Sequence, residues 1–343
     1  GSNDHALGVK NGSHLEMPGT GKSGMYDIIH AVENGDLDEA VLDQRLDELL
    51  NVIFSTHQAT EDAKGKTFDV EAHHNLARKA AEESIVLLKN EDQILPLKPG
   101  TKVAVIGDFA KVPRYQGAGS SLVNSAKQPE AILDVIGSTD LDVVAYEQGY
   151  IRNRKPNQKL TKAAVELAKK ADIVLFFGGL DEISESEGLD RTHMSMPAAQ
   201  ETLLNELTTV NKNIIVVLSA GSAIEMPWYP YVKGIVHGYL GGQAGASAMM
   251  NVLTGKVNPS GKLNETYPLH YEDTPAYAYY PSKERSSEYR ESLYVGYRYY
   301  TTVGKTMRFP FGYGLSYTTF EYKDLKIDTE GVTFTIKNTG NVA

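Results

Sequence analysis

The sequence predicts an α/β fold whose body is a doubly wound, mostly parallel α/β sandwich. Three observations point there. Residues 103–106, 173–177 and 214–218 are short continuous apolar runs that end at or near glycine. A sheet covered on both faces requires such unbroken runs, whereas a half-exposed sheet gives alternation. Between the runs, apolar residues recur three and four apart, the helical period, so strands and helices alternate along the chain.

The elements follow in order. The first 23 residues are polar and glycine-rich and read as a loop. From 24 to 56 the chain reads as helical: Ile28, Ile29 and Val32 share a face, Gly35 interrupts, and Leu42, Leu46, Leu49, Leu50 and Ile53 resume the pattern. Two amphipathic helices and a loop read as the edge of a larger body. A helix is expected over 72–89, presenting Leu76, Ala80 and Leu87. Strands are expected at 103–106 and 143–146, then a helix with the stripe Ala164, Leu167, Ala168 and Ala171. Strand 173–177, a helix through Leu203, Leu207 and Val210, strand 214–218, strand 235–240 and a helix over 244–253 complete the alternation. Right-handed crossovers make such a sheet doubly wound. Residues 270–318, rich in Tyr, Pro and Gly, read as long ordered loops. Then the period changes. Val332, Phe334 and Ile336 alternate with Thr333, Thr335 and Lys337, and Asn338-Thr339-Gly340 reads as a turn. One or two strands bury no face alone, so this stretch reads as the start of a β-sandwich.

Composition narrows the function. The 343 residues suggest two or three domains at roughly 100–200 residues each. Hydrophobic residues make up 41%, enough for a sizeable core. A net charge of −10 without basic blocks argues against a nucleic-acid partner. The apolar runs are far shorter than the about 20 residues of a membrane span. The cysteine count is zero, which removes disulfides, thiolate metal sites and cysteine nucleophiles. It leaves the compartment open, the cytoplasm being slightly favoured. A homo-oligomer is compatible with all of this.

Ligands of doubly wound sheets bind beyond the C-terminal ends of the strands. Two loops there are unusually polar: Arg114-Tyr115-Gln116-Gly117-Ala118-Gly119-Ser120-Ser121 after the first run, and Ser184-Glu185-Ser186-Glu187-Gly188-Leu189-Asp190-Arg191 after the second. Both are expected on one edge of the sheet. Glu185, Glu187 and Asp190 supply the clustered carboxylates that glycosidic cleavage uses, one as proton donor, another facing the developing oxocarbenium ion. Mutual repulsion is expected to hold one of them protonated near neutral pH. An acidic loop is, however, often only a solvated one.

Gly117 and Gly119 do not form a dinucleotide fingerprint, since they lie too far from the strand and lack the third glycine. They are read instead as a tight turn or a close backbone approach to a ligand, with Arg114, Gln116 and Ser120 offering donors to sugar hydroxyls. No metal pattern is present: His73 and His74 point apart on a helix, and His14, His193 and His237 read as structural. No Gly-x-Ser-x-Gly elbow appears. Trp228 reads as core rather than as a sugar-stacking ring, and Tyr289, Arg290, Tyr294, Tyr297 and Arg298 as loop anchors.

Taken in order, several motifs resemble glycoside hydrolase family 3 in its three-domain β-glucosidase form. They are Leu15-Glu16-Met17-Pro18-Gly19, the run Ala77-Arg78-Lys79-Ala80-Ala81-Glu82-Glu83-Ser84-Ile85-Val86-Leu87-Leu88-Lys89-Asn90, and Gln116-Gly117-Ala118-Gly119-Ser120-Ser121. Next come Glu185-Ser186-Glu187-Gly188-Leu189-Asp190-Arg191, Tyr239-Leu240-Gly241-Gly242-Gln243-Ala244-Gly245 and Asn258-Pro259-Ser260-Gly261-Lys262-Leu263. The last is Pro310-Phe311-Gly312-Tyr313-Gly314-Leu315-Ser316-Tyr317-Thr318.

The resemblance implies a remnant of a (β/α)8-like catalytic barrel at 1–60 and an α/β sandwich carrying the acid/base at 61–270. Ordered linker loops at 271–318 and the start of a fibronectin type III-like domain at 319–343 would follow. It places the acid/base at Glu187, with Glu185 as fallback, and turns Arg114 and Gln116 toward the barrel site. The aspartate nucleophile of the family would precede Gly1 and so be absent from this chain, and His14 stands where relatives commonly have Asp. The expected activity is retaining release of terminal non-reducing β-D-glucosyl residues from a glycoside or oligosaccharide. It needs no metal or organic cofactor, and its partner is the missing N-terminal barrel portion. The chain alone is expected to be inactive, as a fragment or one piece of a split enzyme. The rival readings are a non-catalytic glycan- or partner-binding module and, more weakly, a nucleotide-binding α/β protein.

Overall fold

The structure, a computed structural model, describes residues 3–152, 155–283 and 285–342. Gly1 lies outside them. The chain divides into two compact units, one up to Asp69 and one from Val70 onward.

The first unit is helical. Where a loop was expected it opens with a short helix, α1 (His5–Lys10), because the Asp4 carboxylate accepts from the Leu7 N–H and caps it. Helix α2 (Lys22–Glu33) ends at Asn34, and Gly35 takes φ +79° to turn the chain. Asp38 then caps α3 (Glu39–Asp62) through the Ala40 N–H at 3.0 Å. No residue of α3 is buried, and Leu46, Val52, Ile53 and Phe54 are exposed. The stripe read from the sequence is present on the helix and partly covered: Leu42, Leu49 and Leu50 are half-buried, while Leu46 and Ile53 are exposed.

The second unit holds the sheet. Helix α4 (Val70–Ser84) stops five residues short of the expected end, and β1 (Val86–Asn90) follows it. The reason is the run Ile85-Val86-Leu87-Leu88. On a helix, four consecutive bulky apolar residues would leave some facing water. In an antiparallel pairing with β6 (Gly234–His237), Val86, Leu87 and Leu88 are all fully buried. The remaining strands are β2 (Lys102–Ile106), β3 (Asp142–Glu147), β4 (Ile173–Gly179) and β5 (Ile214–Ser219). Helices α5 (Ile132–Val135), α6 (Gln158–Ala168), α7 (Ala198–Val210) and α8 (Gly245–Leu253) punctuate them.

The sheet order is β1-β6-β5-β4-β2-β3, parallel except at β1. From β2 the chain steps outward to β3, then returns past β2 to β4 and continues the other way. The order therefore reverses between β2 and β4, whose C-terminal ends lie side by side (Ile106 beside Phe176). The core is apolar on both faces, with Leu175, Phe176, Leu203, Leu207 and Val216 fully buried. Trp228 joins it, as expected.

Residues 270–318 are more structured than the loops expected. β7 (Tyr267–Pro268) pairs with β8 (Met307–Phe309), and α9 (Tyr297–Val303) lies between them, closed by Gly304 in the left-handed region. Of the aromatic–basic cluster, Tyr289 is 84% exposed and Tyr294 about half exposed, whereas Tyr297 packs on the Phe311 ring and Arg290 lies over the Tyr279 ring. Last comes an antiparallel hairpin, β9 (Phe320–Ile327) with β10 (Val332–Asn338), of which only the second strand was legible as a period-two pattern. Both strands are exposed throughout, as two strands without a facing sheet must be.

Candidate active site

The two polar loops leave the C-terminal ends of β2 and β4 at the reversal point, where open α/β sheets form their ligand crevice. Each strand hands over to its loop through a glycine that no other residue can replace. Gly107 has φ +125°, and a Cβ there would lie 2.0 Å from the Phe177 carbonyl oxygen. Gly179 has φ +143°, and its Cβ would lie 1.9 Å from the Ser219 oxygen. Asp181, fully buried, then turns the second loop by accepting from the Ile183 and Ser184 N–H groups at 3.2 and 2.8 Å.

The loops are stitched together at Glu187. Its N–H donates to the Ala118 carbonyl at 3.3 Å. Its carboxylate accepts from the Ser120 N–H at 2.6 Å and from the Ser120 hydroxyl. Gly119, at φ +88°, makes this approach feasible, since a Cβ there would sit 2.7 Å from the Glu187 Cβ. The expected close approach at Gly119 is thus to this carboxylate. Glu187 is exposed and lines an open cleft of about 340 Å³ with Arg114, Gly117, Glu185, Arg191 and Gly221. Gln116 and Ser120 are not among the residues lining it.

Electrostatics here differ from the expectation of a repelled, protonated acid. The Ser120 hydroxyl and N–H hold the Glu187 carboxyl below its ordinary range. The raised carboxyl is one the sequence did not signal. Burial, reinforced by the charge of Glu185 and opposed by Arg191, pushes Glu265 up to about 7.

Glu185 sits two residues from Glu187 but is occupied elsewhere. Its oxygens accept from the Gly221 N–H at 2.8 Å and the Ser222 hydroxyl at 2.7 Å, both just past β5. Its carbonyl accepts from Arg114 Nη2 at 3.1 Å, and Arg114 Nη1 donates to the Gln116 carbonyl. Arg114 is 4% exposed. The Gln116 amide accepts from the Val123 N–H and donates to the Tyr115 hydroxyl. Arg114 and Gln116 therefore spend these donors inside the protein, shaping the loops. Arg191 donates to the Ser222 hydroxyl and the Ala223 carbonyl, both at 2.9 Å. Among the described residues no group of three or more His, Asp or Glu side chains is gathered as a metal ion would need. Nor is any described helix long and apolar enough to cross a membrane.

This sheet, with these two loops at its reversal point, is a doubly wound α/β sandwich with a polar crevice at its switch point, and the comparisons give its family. The profile of the glycosyl hydrolase family 3 C-terminal domain matches residues 85–317, and the chain belongs to that family. It is 43% identical to thermostable beta-glucosidase B of Acetivibrio thermocellus, over 99% of this chain and 46% of that protein. It is 41% identical to exo-alpha-(1->6)-L-arabinopyranosidase of Bifidobacterium breve, again over 99% of this chain and 46% of the relative. The crystal structure of the Bifidobacterium adolescentis GH3 beta-glucosidase matches with a TM-score of 0.88 at 40% identity, covering 99% of this chain and 50% of that one. The chain thus spans about half the length of the curated relatives it matches.

Proposed function

We propose that this chain supplies the acid/base of a retaining glycosidase, and that the residue is Glu187. The observation that carries the reading is the exposed Glu187 carboxylate in the crevice where the sheet order reverses, steered there by Ser120. The nucleophile is a carboxylate from the remainder of the enzyme. It attacks the anomeric carbon, the glycosidic C–O bond breaks, and the Glu187 proton goes to the departing oxygen. In the second step Glu187, now ionised, takes a proton from water as that water displaces the sugar from its ester.

The Ser120-held ionised form is the one the second step needs. The first step needs the proton back, and an occupied cleft that excludes water favours the neutral acid. Residues up to Asp69 would belong to the barrel, the sheet to the acid/base domain, and the β9–β10 hairpin to a fibronectin type III-like domain. The relatives' names support a β-D-glucosyl substrate, with α-L-arabinopyranosyl as the competing glycone.

The test is Glu187→Ala in the complete enzyme. Loss of about 10²–10⁴-fold in kcat, greatest for poor leaving groups, is expected, with rescue by azide on an activated aryl glycoside. Unimpaired turnover would end the assignment. Comparing aryl β-D-glucoside with aryl α-L-arabinopyranoside decides the glycone. Glycan binding without hydrolysis by the complete enzyme would favour a binding module.

A further inference from the structure

We propose that the pocket on the far side of Arg191 is a subsite for a second pyranose ring, the one released when the glycosidic bond breaks. Arg191 lines both this pocket and the Glu187 cleft, and the sequence neighbours Gly221 and Ser222 lie one in each, so the two adjoin across Arg191. The pocket has a volume of about 520 Å³.

Its walls suit a sugar. The Tyr297 and Phe311 rings stand 5.0 Å apart at 30°, and each side chain is half exposed, at 50%. Exposed paired rings offer flat apolar surface to the C–H face of a pyranose. Tyr300, 4% exposed, lies beside them, and Tyr271 donates its hydroxyl to the Arg191 carbonyl at 3.3 Å. The hydroxyl edge of a ring would meet Glu265 and Arg191. Glu265, with its carboxyl near 7, can both donate and accept at neutral pH. Arg191 Nη2 and Thr266 Oγ1 are buried in this wall without a partner among the described residues, which a native structure rarely tolerates without cause. An apolar lining with a few convergent polar groups is the anatomy of a small-molecule site.

Assigning the bound ring to the leaving group rests on the Glu187 reading. The bond that Glu187 protonates leads to the departing sugar, which must therefore lie on the proton donor's side.

Two measurements separate these claims. In calorimetric titration, the 343-residue chain is expected to bind cellobiose. Tyr297→Ala and Phe311→Ala are expected to weaken binding about ten-fold, while Tyr297→Phe keeps it. Absence of saturable binding, or equal binding by the alanine variants with an unchanged melt, overturns the subsite. In the complete enzyme the same alanine variants should raise KM for cellobiose. They should leave kcat/KM for β-D-glucosyl fluoride, whose leaving group fills no second subsite, within about two-fold. Equal losses on both substrates overturn the leaving-group assignment. An enzyme that hydrolyses neither substrate defeats the glycosidase reading, and the titration still decides the pocket.

Discussion

Ser120 grips Glu187 twice, its backbone N–H at 2.6 Å and its hydroxyl both donating to the same carboxylate oxygen. A residue on the loop after β2 therefore sets the position and the ionisation of a residue on the loop after β4. Four expectations follow from that geometry and its surroundings.

Ser120→Ala removes the stronger of the two influences that lower the Glu187 pKa. The pKa is expected to rise. A general acid works only while protonated, so the basic limb of the kcat/KM profile should move to higher pH. Carboxyl-carbon NMR titration of the chain would show the same shift directly. An unmoved Glu187 titration would show that Ser120 does not govern it.

Glu185 acts as a latch that ties the loop to Gly221 and Ser222. Glu185→Ala is expected to lower kcat by about ten- to a hundred-fold through misplacement of Glu187. The pH limb that reports Glu187 should stay where it was, Glu185→Gln should recover part of the loss, and azide should restore nothing. Rescue of Glu185→Ala by azide would instead make Glu185 the proton donor.

Gly119→Ala would place a methyl 2.7 Å from the Glu187 Cβ, at a φ of +88° that alanine rarely adopts. Because both loops lie outside the packed sheet, the melting temperature should fall by only a few degrees, corresponding to about 1 kcal/mol. Turnover should fall far more, as Glu187 is pushed from the cleft. Full activity in this variant would mean the loops do not need to touch.

His237, on β6, is fully buried and neutral. Its Nδ1–H donates to the Leu218 carbonyl at 3.3 Å, and its Nε2 accepts from the Tyr267 hydroxyl at 2.9 Å. Burial lowers its pKa from 6.5 to about 4. The unfolded chain thus binds this proton before the folded one does. The contribution to stability is whole above pH about 6.5 and disappears as pH falls toward about 4, a swing on the order of 3 kcal/mol. Thermal unfolding of His237→Gln should depend less on pH across that window than the parent chain. Parallel curves would exclude the linkage.

Much of the fold was legible because it is local. Val103–Val105 and the apolar runs around Phe176 and Val216 announce a sheet buried on both faces wherever they come to lie. The chain at β1 was not legible, because a helix and an edge strand compete for the same residues. Its strand state depends on β6, about 150 residues away in sequence, as the pairing of Val86 with His237 shows. The site divides the same way. Loop composition and family motifs pointed to Glu185, Glu187 and Arg191, but composition treated the two glutamates as near-equivalent and expected repulsion to keep one protonated.

The sequence by itself determined the parallel buried strands, though not β1, and which loops leave their C-terminal ends and which carboxylates those loops carry, since periodicity and residue type are properties of neighbouring residues. Only the tertiary structure decided that Glu185 is spent on Gly221 and Ser222 while Glu187 faces the cleft ionised, and that Glu265 is the carboxyl raised toward neutrality. Hydrogen-bond partners and burial come from segments remote in the chain. A carboxyl group's pKa is the sum of those surroundings and not of its own neighbours in sequence.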